Sequence, residues 1–526
     1  MNVEIKLIVN EGIIMKVRHG FYNILFGFIN QLVTIAFGVL IPRLFIVRFG
    51  SEVNGFMASL LQIIVYMSVL EAGVGATTIQ SLYKPIAADD KDSINSILSA
   101  TSKYYKKTGK IYLLTVVALS IVYPLCIKSN IGNITVFLVI LLTGMVGVIN
   151  YFFQAKFKLL LTADGKGYII SNIGIIVTIL TNIIKITLLI LGYNLILIQL
   201  SYFIINLLQM FMIGIYIKRK YKWIDLSIKP NYSALSQKNS VLVHQISYMI
   251  FNNTDVFILT IFCGLKVVSV YVMYNLIFQM INSLISNINS GIVFILGSTY
   301  YEDRIKFFNL YDCYELYYMA IVFALYSITY ILILPFMKLY TAGMTDINYI
   351  DPLLPILFVT LNLMSFARAS GVNAINIAGH FKKTQYRAII EATINIVISL
   401  ICVNKFGIYG VLIGTITALL YRTNDIIIYT NKYILKRSSL VTYKRWAVDT
   451  ILFLSIVITG NKFNIYPTSY IKFAITTVIL LIIIVPTFLI VVSVFDIKSY
   501  KHTLTYINKY TDLLINKFKQ VTKKQV

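Results

Sequence analysis

Apolar runs of about 20 residues recur along the whole chain, separated by short polar stretches. An α-helix of that length crosses the roughly 30 Å hydrocarbon core of a bilayer. The pattern therefore predicts an all-α, polytopic membrane protein with about fourteen transmembrane helices. The spans are expected near 23–48, 55–80, 110–128, 134–155, 169–191, 194–217, 241–264, 268–296, 316–339, 353–379, 388–404, 407–430, 447–461 and 471–495.

A stripe of polar residues interrupts the apolar pattern of the eighth span. Asn275, Gln279, Asn282, Ser286 and Asn289 follow one another at steps of four, three, four and three, so they share one face of a helix. Within a membrane a polar face must contact protein or water, not lipid. We therefore expect this face to line a hydrophilic path, with hydrogen bonding between neighbouring helices as the alternative.

The first span carries a similar stripe that includes Asn30. By the same reasoning, Asn30 is a second candidate for the wall of a cavity that binds substrate, together with the amides of the eighth span.

Each charged residue inside a predicted span costs about 2.5–3.5 kcal/mol on insertion scales unless it finds a partner or water. Arg422 and Asp425 are three residues apart and are expected to pair on one helix face. Glu391 and Asp449 are expected at helix starts, where the helix dipole favours an anion.

Five other charged residues lie well inside the predicted spans and are candidates for function. Arg368 falls near the membrane midplane, and Lys185 and Arg43 fall towards the outer side. These cations could attract an anionic substrate, since a guanidinium can donate two parallel hydrogen bonds to a phosphate. Asp255 and Glu71 could bind a coupling Na⁺ or H⁺. The alternatives are internal ion pairs and, for Arg43, extension of the side chain to the membrane surface.

Composition supports a membrane protein and sets its orientation. The chain is 58% hydrophobic and 13% charged, whereas soluble domains are about one quarter charged. Most of the 46 Lys and Arg residues fall in alternate loops. By the positive-inside rule this places both termini in the cytoplasm. The net charge of +25 therefore reflects membrane orientation, and no nucleic acid partner is expected.

The sequence contains few features that would indicate an enzyme. The four cysteines are scattered with no short spacing, so neither a disulfide framework nor a metal site is expected. No nucleophile, base and acid constellation is visible, and no cofactor is expected. The outer loops are short, whereas a membrane glycosyltransferase or polymerase usually needs a sizeable outer loop. We therefore predict a protein that is not an enzyme.

The spans group into two halves of six. Gly-bearing outer turns recur in the same order in both halves, and an even number of spans in each half makes the repeats parallel. The predicted organisation is a cytoplasmic N-terminus (1–22), an N-lobe (23–217), a cytoplasmic linker (218–240), a C-lobe (241–430), a basic loop with two further helices (431–495) and a basic cytoplasmic tail (496–526).

Several short motifs follow one another in a fixed order along the chain. They are Phe49-Gly50 and Asn54-Gly55, the run from Leu70 to Gly75 leading into Leu82 to Pro85, the run from Ala378 to Gln385, the run from Glu391 to Asn395, and the run from Gly407 to Thr415. In these motifs the chain resembles the Wzx-type polysaccharide flippases of the multidrug/oligosaccharidyl-lipid/polysaccharide exporter superfamily, over about residues 22–495.

The resemblance implies a MATE-like, V-shaped bundle with spans 1, 2, 7 and 8 around a central cavity. It also implies flipping of undecaprenyl-pyrophosphate-linked oligosaccharide across the bacterial cytoplasmic membrane, for cell-surface polysaccharide biosynthesis. The expected partners are this lipid-linked oligosaccharide, membrane lipids and a polysaccharide polymerase. A cation-coupled multidrug exporter and a lipid II flippase are the alternatives; the exporter would favour an acidic and aromatic cavity.

Overall fold

The computed structural model describes residues 26, 29–31, 33–34, 36–71, 74–127, 129–235, 253–463, 465 and 467–506. Its regular elements are helical, with no strand in these ranges, which confirms the predicted all-α fold. The α-helices are α1 (Ile29–Phe49), α2 (Ser51–Met67), α3 (Val74–Ala87), α4 (Lys91–Cys126), α5 (Asn133–Ile149), α6 (Ala155–Ala163), α7 (Gly167–Ile190), α8 (Leu195–Lys220), α9 (Asn253–Phe262), α10 (Leu265–Glu302), α11 (Arg304–Tyr340), α12 (Leu353–Ala367), α13 (Ala369–Ile377), α14 (Phe381–Phe406), α15 (Ile408–Tyr429), α16 (Leu440–Lys462) and α17 (Tyr470–Phe495).

Within the described ranges, eleven helical segments are long and apolar enough to cross a membrane. Each overlaps one predicted span, although α4 begins at Lys91 rather than near residue 110 and α11 begins at Arg304 rather than near residue 316. The other three predicted spans correspond to α2, α9 and α16. Helix α2 has 17 residues, α9 is the described end of the span 241–264, and α16 carries Lys444, Arg445 and Asp449 in its first half. The count of fourteen stays a prediction. Residues 1–22 and most of the tail lie outside the described residues.

Two spans that we expected to be continuous are broken. The second leaves the α-helix after Met67 and forms a 3₁₀ turn over Ser68–Glu71. The tenth is divided into α12 and α13, with Arg368 at the junction. The tenth span nevertheless remains one membrane-length helical segment, Leu353–Ile377, interrupted only at Arg368. Both irregularities lie beside candidate charged residues. The fourth span is continuous but wider, because π-helical residues Asn150–Gln154 join α5 to α6.

The chain forms two compact units, and the first comprises residues 1–272 and 344–347. Its helices α4 and α5 pack closely because the contact face of α5 carries glycine. A Cβ atom at Gly144 would lie 2.5 Å from Val116, and one at Gly147 would lie 2.5 Å from the Tyr112 hydroxyl. Small residues allow such approach between membrane helices, where packing replaces the hydrophobic effect as the driving force.

Polar side chains join α2 to α9 and to the start of α10 within the first unit. The Asn54 amide donates to the Ser269 hydroxyl at 2.8 Å. The hydroxyls of Tyr66 and Thr254 are hydrogen-bonded at 3.0 Å. These contacts satisfy polar groups that would otherwise be costly inside a membrane protein.

The same helices meet most closely at Gly55, which has no side chain to separate them. A Cβ atom there would lie 1.7 Å from the Leu265 carbonyl oxygen. One turn earlier, Asp346 holds the start of α2, because its carboxylate accepts the Ser51 amide N–H and the Ser51 hydroxyl, both at 2.7 Å.

The second unit comprises residues 273–343 and 348–526. Helix α11 is largely buried there and contacts α12, α16 and α17. Two arginines bind the carboxylates of α11 and of the end of α17. Arg445 of α16 is buried, and Arg437, in the segment that leads into α16, is half-buried. Arg445 contacts Glu315 at 2.5 Å and Asp496 at 2.7 Å, and Arg437 contacts Glu315 at 2.5 Å. This network attaches the two C-terminal helices to the bundle.

Candidate functional site

The polar stripe of α10 divides into two edges, and the first edge bonds to other helices of the second unit. The Asn282 amide donates to the Asn362 side-chain oxygen of α12 at 3.0 Å, and its own oxygen accepts the Tyr326 hydroxyl of α11. Asn282 thus joins three helices. For this residue, the alternative of interhelical hydrogen bonding describes the contacts.

Asn289 forms a similar contact two turns further along α10. The Asn373 amide of α13 donates to the Asn289 oxygen at 2.9 Å and to the Tyr314 hydroxyl at 2.8 Å. The Tyr314 hydroxyl in turn donates to the Asn289 oxygen. The three side chains close a polar ring between α10, α11 and α13.

The other edge of the stripe is accessible. Gln279 and Ser286 are exposed, and Asn275 is half-buried. Among the residues that the structure describes, none forms a hydrogen bond with the side chains of these three. Leu284 follows Asn275 by about two and a half turns, so it lies on the opposite side of α10, and it is also exposed. Helix α10 therefore has one accessible apolar face and one accessible polar face, and only the apolar face suits lipid.

Arg368, at the junction of α12 and α13, has an ionic partner. Its guanidinium lies 2.9 Å from the Glu391 carboxylate of α14, and both side chains are about one-tenth exposed. The contact is an ion pair rather than an aligned hydrogen bond, because neither atom meets hydrogen-bond geometry. Glu391 also contacts Arg422 of α15 at 3.4 Å.

Glu391 has a role that sequence reasoning missed. We assigned it to the start of a helix, where the helix dipole favours an anion, but it lies ten residues into α14 and between two arginines. The predicted pairing of Arg422 with Asp425 is confirmed at 2.6 Å, and Asp425 also binds Arg387. The result is a chain of alternating charges with three guanidiniums and two carboxylates.

The remaining candidate cations and Asn30 belong to the first unit. The Lys185 ammonium lies 4.6 Å from the centre of the Tyr202 ring, a cation–π contact, and forms no ion pair with a described carboxylate. The Asn30 side-chain oxygen is buried and accepts no hydrogen bond from the described residues. Arg43 is half-buried. The role of these residues in binding substrate stays a prediction.

Each of the two candidate ion-coupling carboxylates accepts a hydrogen bond from a tyrosine hydroxyl. Asp255 is buried and accepts the Tyr271 hydroxyl at 3.0 Å. Glu71 ends the 3₁₀ turn after α2 and accepts the Tyr105 hydroxyl at 2.7 Å. Their predicted role in coupling is not tested by these contacts. Across the part of the chain that the structure describes, no group of three His, Cys, Asp or Glu residues could hold a metal ion.

Comparison with known proteins places the fold among membrane transporters. The chain is similar to the lipid II flippase MurJ in an inward closed conformation, with 15% identity and a TM-score of 0.67 over 90% of this chain and 99% of that chain. It is similar to an inward-facing multidrug resistance MATE family transporter of the MOP superfamily, with 15% identity and a TM-score of 0.60 over 77% of this chain and 95% of that chain. No protein-family profile and no curated protein matches the sequence. At this level of identity the likeness shows the fold, which is the MATE-like fold that we expected.

Proposed function

We propose that the protein is a flippase that translocates undecaprenyl-pyrophosphate-linked oligosaccharide by alternating access, in cell-surface polysaccharide biosynthesis. It would act in the bacterial cytoplasmic membrane, with both termini in the cytoplasm. The fold shared with MATE transporters and with a lipid II flippase supports a transporter of this kind. The motif resemblance supports the finer choice of a polysaccharide precursor.

The observation that carries the proposal is the accessible polar face of α10. Asn275, Gln279 and Ser286 offer two amides and a hydroxyl on a helix whose opposite face is apolar. Amides both donate and accept hydrogen bonds, which suits sugar hydroxyls. A face that is accessible and polar inside a membrane borders water or a polar cargo.

Embedded cations supply the second part of the proposal. Lys185 forms no ion pair with a described carboxylate and is free to attract an anion. The charge chain that contains Arg368 has one more guanidinium than carboxylates, so it also favours a pyrophosphate. In this proposal Asn282 and Asn289 shape the wall of the path, and Asp255 and Glu71 are the candidates for coupling to H⁺ or Na⁺.

The test is transport by substituted proteins. Gln279→Leu and Ser286→Leu should reduce complementation of a flippase-deficient strain, and should slow the transfer of a fluorescent polyprenyl-pyrophosphate oligosaccharide across reconstituted vesicles. The matched control is Leu284→Ala, which changes the opposite face of the same helix and should leave transport unchanged. Normal transport by both polar-face variants, at normal membrane abundance, would contradict the proposal.

Multidrug export is the second candidate, since solved structures with this fold include a multidrug transporter. It predicts drug sensitivity on deletion of the gene and no defect in surface polymer. Lipid II is the third candidate cargo, because a lipid II flippase also shares the fold. Vesicles loaded with lipid II or with the oligosaccharide precursor separate these two cargoes directly.

A further inference from the structure

One face of α14 is exposed and apolar along most of the helix. Ile389, Ile390, Val397, Leu400 and Ile401 are between 40% and 69% exposed. At about 100° per residue, these five positions fall within about 120° of one another. The opposite face of the helix packs against α15. An exposed apolar face on a membrane helix suits the acyl chains of lipids.

Tyr386 and Arg387 lie near the start of α14, at one end of this apolar face. Tyr386 is 55% exposed. The Arg387 Nε–H donates to the Tyr386 hydroxyl oxygen at 3.0 Å, so the hydroxyl proton remains to be donated to another group. The Arg387 guanidinium also lies 4.8 Å from the centre of the Tyr429 ring and binds Asp425 through Nη1. Its Nη2 forms no hydrogen bond with the described residues, so two donors are left at this point.

The charge around these two donors is positive. Lys383 lies three residues before Tyr386 and four before Arg387, a spacing that makes the three side chains neighbours on the helix surface. Lys383 is exposed and forms no ion pair with a described carboxylate. The carboxylate beside Arg387, that of Asp425, is shared with Arg422. Since the positive-inside pattern predicts that this end of α14 is cytoplasmic, we expect the excess positive charge at the cytoplasmic surface.

We propose that this end of α14 binds an anionic glycerophospholipid of the cytoplasmic leaflet. The lipid phosphate accepts hydrogen bonds from the Lys383 ammonium, the Tyr386 hydroxyl and the Arg387 Nη2, and an acyl chain lies along the apolar face of α14. A free phosphate ion would use the three donors but not the apolar face, so the arrangement favours a lipid. The site lies on the surface of the second unit and does not depend on the proposed flippase function.

Lipid binding to the purified full chain in a nonionic detergent tests the site. Dioleoylphosphatidylglycerol should bind in native mass spectra and raise the Tm, whereas dioleoylphosphatidylcholine, which has no net charge, should bind more weakly. Lys383→Met and Tyr386→Phe should each weaken the binding of phosphatidylglycerol by about tenfold, the loss expected for one hydrogen bond to a charged group. Lys383→Arg should retain binding. The matched control is Lys405→Met, since Lys405 is also exposed on α14 but lies near its opposite end.

Three results would overturn the site. The first is equal affinity of wild type, Lys383→Met and Tyr386→Phe for phosphatidylglycerol, at equal Tm without lipid. The second is an equal loss of affinity in Lys405→Met, because the lipid would then respond only to the overall charge. The third is displacement of phosphatidylglycerol by inorganic phosphate at equal affinity, because the apolar face would then have no role. If Lys383→Met also unfolds at a lower temperature, Tyr386→Phe decides, since it removes a single hydroxyl.

Discussion

Glu391 is the residue whose removal should most disturb the second unit. It is buried and pairs with two guanidiniums, those of Arg368 and Arg422. Glu391→Ala would leave Arg368 with no ionic partner among the described residues and would leave Arg422 with Asp425 alone. Removing one member of a buried ion pair typically costs about 3–5 kcal/mol, because the remaining charge stays desolvated.

Removal of Arg368 should cost less, and this asymmetry is the prediction. In Arg368→Met, Glu391 keeps Arg422 as its partner, so no charge loses every ion pair. We expect a loss of at most about 3 kcal/mol, within the range of ordinary single substitutions. The order of stability should therefore be wild type, then Arg368→Met, then Glu391→Ala.

The assay is thermal unfolding of the purified protein in one detergent, followed by tryptophan fluorescence and by size-exclusion recovery after heating. Glu391→Gln is the matched control, because it removes the charge but keeps the shape. It should fall close to Glu391→Ala, since the loss is electrostatic. If Arg368→Met unfolds at or below the temperature of Glu391→Ala, the ion-pair reasoning is wrong. Transport by Arg368→Met, measured below its Tm, then tests separately whether this arginine binds cargo.

Three further predictions concern other contacts. Asn282→Leu should lower the free energy of unfolding by about 1–3 kcal/mol and thereby the Tm, because the Asn362 side-chain oxygen and the Tyr326 hydroxyl lose their hydrogen bonds to Asn282. Gln279→Leu is the control and should leave the Tm unchanged. Burial of Asp346 opposes its ionisation, but hydrogen bonds from Ser51 outweigh burial and lower its pKa. The stabilisation from Asp346 is thus complete above the unfolded pKa of about 4 and disappears as the pH falls through the lower folded value. Asp346→Ala should therefore lower the Tm at pH 7, and the difference in Tm from wild type should shrink as the pH falls below about 4. Finally, Asp449→Asn should raise the Tm, since both carboxylate oxygens are buried and accept no hydrogen bond from the described residues; a lower Tm would reveal a partner for the charged form.

The pattern of apolar residues was sufficient to predict the helical fold, because this pattern is a local property of the sequence. Apolar runs of the right length specify spans whatever their neighbours are. The polar stripe of α10 could also be predicted, since residues three and four apart in a helix share a face. The sequence could not divide that stripe into Asn282, which bonds to α11 and α12, and Gln279, which stays accessible. That division depends on which helices lie beside α10.

Long-range partners and helix irregularities were the parts that could not be predicted. Arg368 stands at a break with no proline or glycine beside it, so local propensity gives no sign of an end. Its partner Glu391 is 23 positions away in sequence and resembled a helix-start anion. The π turn before Ala155 likewise has no sequence signature, although it decides that Lys158 reaches Asn150. A charge inside a span should therefore be matched against every opposite charge at the same depth.

Only glycine fits at position 55 of the first unit. With 1.7 Å between the position of an added methyl and the Leu265 carbonyl oxygen, even alanine is excluded from this arrangement of α2 and α10. Any state of the protein in which these two helices part would accept alanine without strain. Gly55→Ala should therefore destabilise only the state in which α2 and the start of α10 are in contact. It should increase the population of any state in which these two helices are separated.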